Sequence, residues 1–67
     1  MDYITLGQLS NFAWYVQKII VKDEKYNIIF NGENIELQKV IRNDEVMRNR
    51  WVKGFGADDN VLIVVTI

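Results

Sequence analysis

The chain predicts a single α+β domain over residues 1–67, in which a short N-terminal helix packs on a strongly bent antiparallel sheet of four to five strands. Three observations predict it. Thr5-Leu6-Gly7-Gln8 has the spacing of a helix-capping motif, the segments after it are rich in β-branched and aromatic residues, and turn-forming residues separate those segments.

The helix is expected to open at Thr5, whose hydroxyl is spaced to accept from the Gln8 amide while the Gln8 side chain reaches back. Leu6, Leu9 and Phe12, with Ala13, recur at helical spacing and give one apolar face, and Ile4 before the cap serves as a hydrophobic staple. Gly7 works against this helix by roughly 1 kcal/mol relative to alanine. Trp14 to Val21 is mostly β-branched or aromatic, which predicts a strand ending at the turn Lys22-Asp23-Glu24-Lys25. Asn31-Gly32 follows between two apolar runs and tolerates the positive φ angles of a type I′ turn. A two-residue loop there pairs Phe30 with Glu33, Ile28 with Ile35 and Tyr26 with Leu37, which sets their apolar side chains on one face. Gln38 to Arg50 has no clean period; a strand end, an irregular loop and one helical turn after Asp44 are expected. Trp51 to Ala57 and Val61 to Ile67 form a final hairpin through Asp58-Asp59-Asn60. Gly54 and Gly56 mark a bulge or the close approach of another backbone.

Val61-Leu62-Ile63-Val64-Val65-Thr66-Ile67 does not alternate, so a strand built from it is apolar on both faces, and Ile19-Ile20-Val21 and Ile28-Ile29-Phe30 repeat the pattern. One helix covers one face. The other needs a second cover, by curling of the sheet into a small barrel, by a second protomer, or by a partner. The closing strand is also expected to offer an edge that another chain could extend. A domain of this length buries only about 60% of the surface its unfolded chain exposes, and without cysteine or histidine it lacks disulfide and Cys/His metal staples. These features favour oligomerisation.

The absence of histidine and cysteine removes most metal sites and most near-neutral proton transfer. The carboxylate pairs Asp23-Glu24, Asp44-Glu45 and Asp58-Asp59 are neighbours in sequence, which on an extended chain sets them on opposite sides; they read as solvated turns. Asp58, Asp59 and Asn60 lack the spacing of a cation-binding loop, and Gly54-Phe55-Gly56 lacks the lysine and hydroxyl ending of a phosphate loop. Thr5, Ser10 and Thr66 have no histidine base. The expectation is a protein without catalytic residues, metal or cofactor. Met1-Asp2-Tyr3 lacks the basic start of a secretory signal and no apolar run approaches the length of a membrane span, so a cytoplasmic protein is expected.

Charge is distributed unevenly. The whole chain carries −1, yet Gln38 to Lys53 holds Lys39, Arg42, Arg48, Arg50 and Lys53 against Asp44 and Glu45. With Trp51 and Phe55 alongside, this segment has the arginines and aromatics that interface hot spots use, and Lys39, Arg42, Arg48, Arg50, Trp51 and Lys53 are the expected partner-binding residues. The alternatives are a solvated loop with Trp51 in the core, and a patch that binds single-stranded nucleic acid or a nucleotide with Trp51 or Tyr15 as a stacking surface. The acidic whole chain sets nucleic acid second to protein.

Ile4-Thr5-Leu6-Gly7-Gln8-Leu9, the strands that end at Phe30-Asn31-Gly32, and the segments Val52-Lys53-Gly54-Phe55 and Asn60 to Val64 resemble small phage-borne proteins of unassigned function that open with T-L-G-x-L. Trp14-Tyr15 and Arg48-Asn49-Arg50-Trp51 are not part of that pattern. The resemblance implies a non-enzymatic accessory protein of a phage or other mobile element, acting in the host cytoplasm on a host protein, for instance by inhibiting a defence complex. A helix followed by about five short strands also resembles the Sm-like or SH3-like small barrels, of which the Sm-like form rings and bind RNA; their sequence motifs are not evident in this chain.

Overall fold

The computed structural model describes residues 3–67; Met1 and Asp2, on which the reading of the leader partly rests, lie outside the described residues. Among the described residues the order is α1 (Leu6–Phe12), β1 (Lys18–Lys22), β2 (Ile28–Glu33), α2 (Asn34–Asn43), α3 (Glu45–Arg48), β3 (Val52–Asp58) and β4 (Val61–Thr66). The strands form one sheet in the order β2-β1-β4-β3. The α+β class and the short helix opening the domain are as expected. The sheet is mixed rather than all-antiparallel, because β1 runs antiparallel to β2 but parallel to β4. It is open, with β2 and β3 at its edges, so the small-barrel alternative does not form. The closing strand β4 is interior, between β1 and β3, where a strand apolar on both faces is best accommodated.

Local signals set several elements where the sequence places them. Thr5 caps α1, its hydroxyl accepting from the Gln8 amide at 3.1 Å while Gln8 accepts from the Thr5 amide at 2.8 Å. Asp44 caps the single turn of α3 by accepting from Met47. Asp59 and Asn60 join β3 to β4 with φ of 52° and 66°, the positive pair a type I′ turn requires. The first hairpin turns at Asp23, whose Oδ1 accepts from the amides of Lys25 and Asn27, both at 2.9 Å. These bonds hold the Asp23 carboxyl below its ordinary value, the Asn27 amide contributing most; burial opposes the shift, and the Asn27 side chain, the Lys25 amide and the Arg50 charge add smaller effects.

The Asn31-Gly32 hairpin is not formed. Both residues lie inside β2, opposite Ile20 and Ile19, and no glycine has a positive φ. The next segment is helical because Asn34, Leu37 and Ile41 recur at helical spacing and are the buried residues of α2. The polar Asn34 disguised that stripe. Two further expectations need correction: Trp14 to Gln17 is a loop, with strand beginning only at Lys18, and Phe12 points away from the core.

One cluster holds the domain together. Leu6 and Leu9 of α1, Leu37 and Ile41 of α2 and Met47 of α3 pack with Ile19, Val21, Val52 and Val64 of the sheet. The helices therefore share one face of the sheet. In that face Ile19 is opposite Leu62 and Val21 opposite Val64; in the other Ile20 is opposite Ile63 and Lys22 opposite Val65. Among the described residues no helix lies over the second face of the sheet, as the doubly apolar strands anticipated. Gly7 permits the helix layer to close, since a Cβ there would lie 2.7 Å from Arg48 Cγ and 3.3 Å from the Arg48 carbonyl oxygen. The residue that weakens α1 on propensity is the one that admits α3.

Candidate functional site

The last residue of α1 and the segment between α1 and β1 have apolar side chains turned outward on a fixed backbone. Phe12 is 83% exposed, Trp14 80%, Tyr15 63% and Val16 69%, so they contribute little to the core. The backbone beneath them is tied down at successive carbonyls. Ala13 O accepts from Asn34 Nδ2 at 3.0 Å, Trp14 O from the Gln17 amide at 3.1 Å, Tyr15 O from the Ile35 amide at 2.9 Å and Gln17 O from the Asn34 amide at 2.8 Å.

This arrangement follows from the needs of two helix ends. The first amides of α2 have no partner within their own helix, and Glu33 at its N-cap offers no side-chain bond; the carbonyls of Tyr15 and Gln17 fill that role. In return the Asn34 side chain accepts from the Ser10 hydroxyl at 2.6 Å and donates to Ser10 O at 2.9 Å, at the end of α1. Gln38 adds a bond to the same carbonyl. Ser10 and Asn34 are fully buried, so both are satisfied where an unpaired polar group would be costly. Gln17 Nε2 also donates to Asn60 O at 2.8 Å, tying the loop to the β3–β4 turn.

Two shallow hollows flank the loop, and Trp14 lines both. One, of about 420 Å³, runs between Phe12, Trp14 and Gln17 and the Ala57, Asn60 and Leu62 side of the sheet. The other, of about 470 Å³, lies between Trp14, Tyr15, Asn11 and Gln38. Their linings combine aromatic rings, aliphatic groups and side-chain amides, without a charged residue.

The six expected partner-binding residues occupy several surfaces. Arg42 and Arg48 come together on a groove of about 540 Å³ between the helices, with Thr5, Gln8, Asn11, Gln38 and Asn49 around them. Lys39 is exposed one turn before Arg42 on α2. Arg50 lines a different hollow, beside Asp23 and Ile67, and its Nε is buried without a hydrogen-bond partner. Trp51 is half exposed, bridged to Thr5, with its ring 6.4 Å from that of Tyr3. Lys53 is exposed on β3. The aromatic segment is not among these residues: Phe12 is expected on the helix's apolar face and Trp14 to Val16 in a strand. Its signal was present in the run Phe12-Ala13-Trp14-Tyr15-Val16, which lacks strict alternation between apolar and polar residues.

The hydroxyls have structural duties: Thr5 caps α1, Ser10 donates to Asn34, and Thr66 donates to Lys22 O at 3.0 Å. Among the described residues no three of Asp, Glu, His and Cys gather into a metal-holding group, and no helix is long and apolar enough to cross a membrane. Fold and surface together define a small α+β domain that presents a pre-formed aromatic loop. Comparison of the chain with protein-family models, curated proteins and solved structures finds no match.

Proposed function

We propose that this chain is a non-enzymatic binding module that acts by protein–protein contact through residues 12–16, the end of α1 and the loop after it. The observation that carries this reading is the exposure of Phe12, Trp14, Tyr15 and Val16 on a backbone held by hydrogen bonds at Ala13, Trp14, Tyr15 and Gln17. Large apolar side chains left in water gain roughly 1.5–3 kcal/mol each when buried, so a partner that covers them has a ready source of affinity. The fixed backbone reduces the ordering that association would otherwise require. An aromatic centre without charge, surrounded by amides, matches the composition of protein-interface cores. Following the resemblance to phage-borne accessory proteins, the partner proposed is a host protein, and occlusion of a defence complex would be one outcome of binding.

The test is affinity capture from the cells in which the chain is made, comparing the native chain with Trp14→Ser. A specific protein retained by the native chain and lost at least about tenfold by the folded variant supports the loop as the contact. Equal retention by both would remove the loop from that role.

A second reading has its own observation. Arg42 and Arg48 face a groove whose other lining residues include hydroxyl and amide groups and no carboxylate, a suitable setting for a phosphate-bearing ligand such as a nucleotide or short single strand. Fluorescence titration with labelled oligonucleotides should then show binding that weakens steeply with salt. No binding at low salt ends this reading.

A further inference from the structure

β3 is an edge strand, and from Lys53 onward its residues are exposed. Gly54 and Gly56 lie opposite Val65 and Ile63. Neither has a positive φ, and a Cβ added at either would meet nothing within 4 Å. The chain's own conformation and packing therefore do not call for glycine at these positions, although glycine weakens a strand. Glycine at both leaves the uncovered face of β3 bare, and the strand's outer edge unobstructed by side chains. The glycines open a trough of about 320 Å³ beside Ile63 and Val65, with a lining that is chiefly apolar.

The charges along the strand select the occupant. β3 carries Lys53 next to its first residue and ends with Asp58, followed by Asp59 in the turn. Antiparallel pairing of two copies sets the basic end of each β3 against the acidic end of the other, and symmetry makes this attraction twice; parallel pairing sets like charges together. Edge strands commonly deter pairing with bulges, lysines or proline. Here the bulge between Val52 and Gly54 and the lysine at 53 are confined to the start of the strand, leaving Gly54 to Asp58 without such a device.

We infer that a second copy of this chain pairs antiparallel along Gly54 to Asp58 of β3, joining two four-stranded sheets into one continuous sheet of eight. The two-fold axis stands normal to the sheet, both helix layers lie on the same side, and the two β3 strands meet at the junction, with the rows containing Ile63 and Val65 one strand back on either side. This contact is separate from the aromatic loop and stands or falls independently of it.

The test is the solution mass of the full chain over a concentration series by sedimentation equilibrium, with amide hydrogen exchange over 54–58 alongside. The expected species is a dimer of twice the 7.9 kDa chain mass, with exchange in β3 slowing as the dimer fills. Lys53→Glu should weaken dimerisation on the order of tenfold, and adding Asp58→Lys to it should recover affinity, because the opposed ends regain opposite charges. Both positions are exposed, and circular dichroism checks that the variants fold. A monomer up to millimolar concentration overturns the inference. So does a dimer whose affinity is unchanged by Lys53→Glu, or one abolished by Trp14→Ser alone.

Discussion

Ile19 and Ile20 are neighbours on β1 with the same side chain, yet one is sealed beneath three helices and the other faces the uncovered side of the sheet. On the covered side, Ile19, Val21 and Val64 are nearly inaccessible and belong to one cluster with the helix-derived core residues. On the other, Ile20, Ile63 and Val65 are only half-buried. The difference shows that the fold spends its helix layer on a single face. Apolar residues elsewhere, on the open face and in the aromatic loop, are surplus to that core and available to other molecules.

The largest test of this contrast is substitution at the two isoleucines. Ile19→Ala should lower the unfolding free energy by about 3–4 kcal/mol, because it leaves a cavity under the helices, whereas Ile20→Ala should cost about 1 kcal/mol or less. Urea denaturation of the two variants side by side measures it. Next comes the polar joint between α1, α2 and the loop. Asn34→Leu strips the Ser10 hydroxyl and the Ala13 carbonyl of their bonds to this residue and should destabilise by about 2–3 kcal/mol, with faster hydrogen exchange at the Gln17 and Ile35 amides. Gly7→Ala gains helix propensity but drives a methyl into Arg48; the clash should win by about 1 kcal/mol, read as a lowered thermal midpoint.

The smallest expected effect is the dependence on pH at the Asp23 turn. The Asp23 pKa is depressed in the folded chain, so its contribution is fully present above the ordinary carboxylate pKa and is lost as pH falls through the lower folded value. Asp23→Asn should remove that part of the acid dependence, visible in denaturation midpoints measured across the acid range.

How much of this was legible in the sequence depended on the reach of the interactions. The Thr5-Gln8 cap, the turn at Asp23, the helical turn after Asp44 and the Asp59-Asn60 hairpin are each stabilised within a few residues, and each was found. The parallel pairing of β1 with β4 joins distant segments and has no local signature. Asn31-Gly32 carried a strong turn signal that lost because Asn34, buried against Ser10 and Ala13, starts a helix immediately afterward. No local pattern shows that an asparagine belongs in a core. The same distant bonds shaped the aromatic loop: its residues favour strand on propensity, but the carbonyls of Ala13, Tyr15 and Gln17 are taken by Asn34 and Ile35 of α2. Charge clustering in sequence likewise suggested one patch, and the bend of the chain through α3 and into β3 sends Arg48, Arg50 and Lys53 to separate surfaces.

The central claim is that Phe12, the last residue of α1, and Trp14, on the loop after it, are held out of the core on a backbone that the rest of the fold fixes. Its most direct test is the unfolding free energy of the double variant Phe12→Ser, Trp14→Ser, measured by urea denaturation with circular dichroism. The loop described above predicts a value within about 0.5 kcal/mol of the native chain. A loss greater than about 2 kcal/mol would mean that these side chains pack into the fold, and would contradict it.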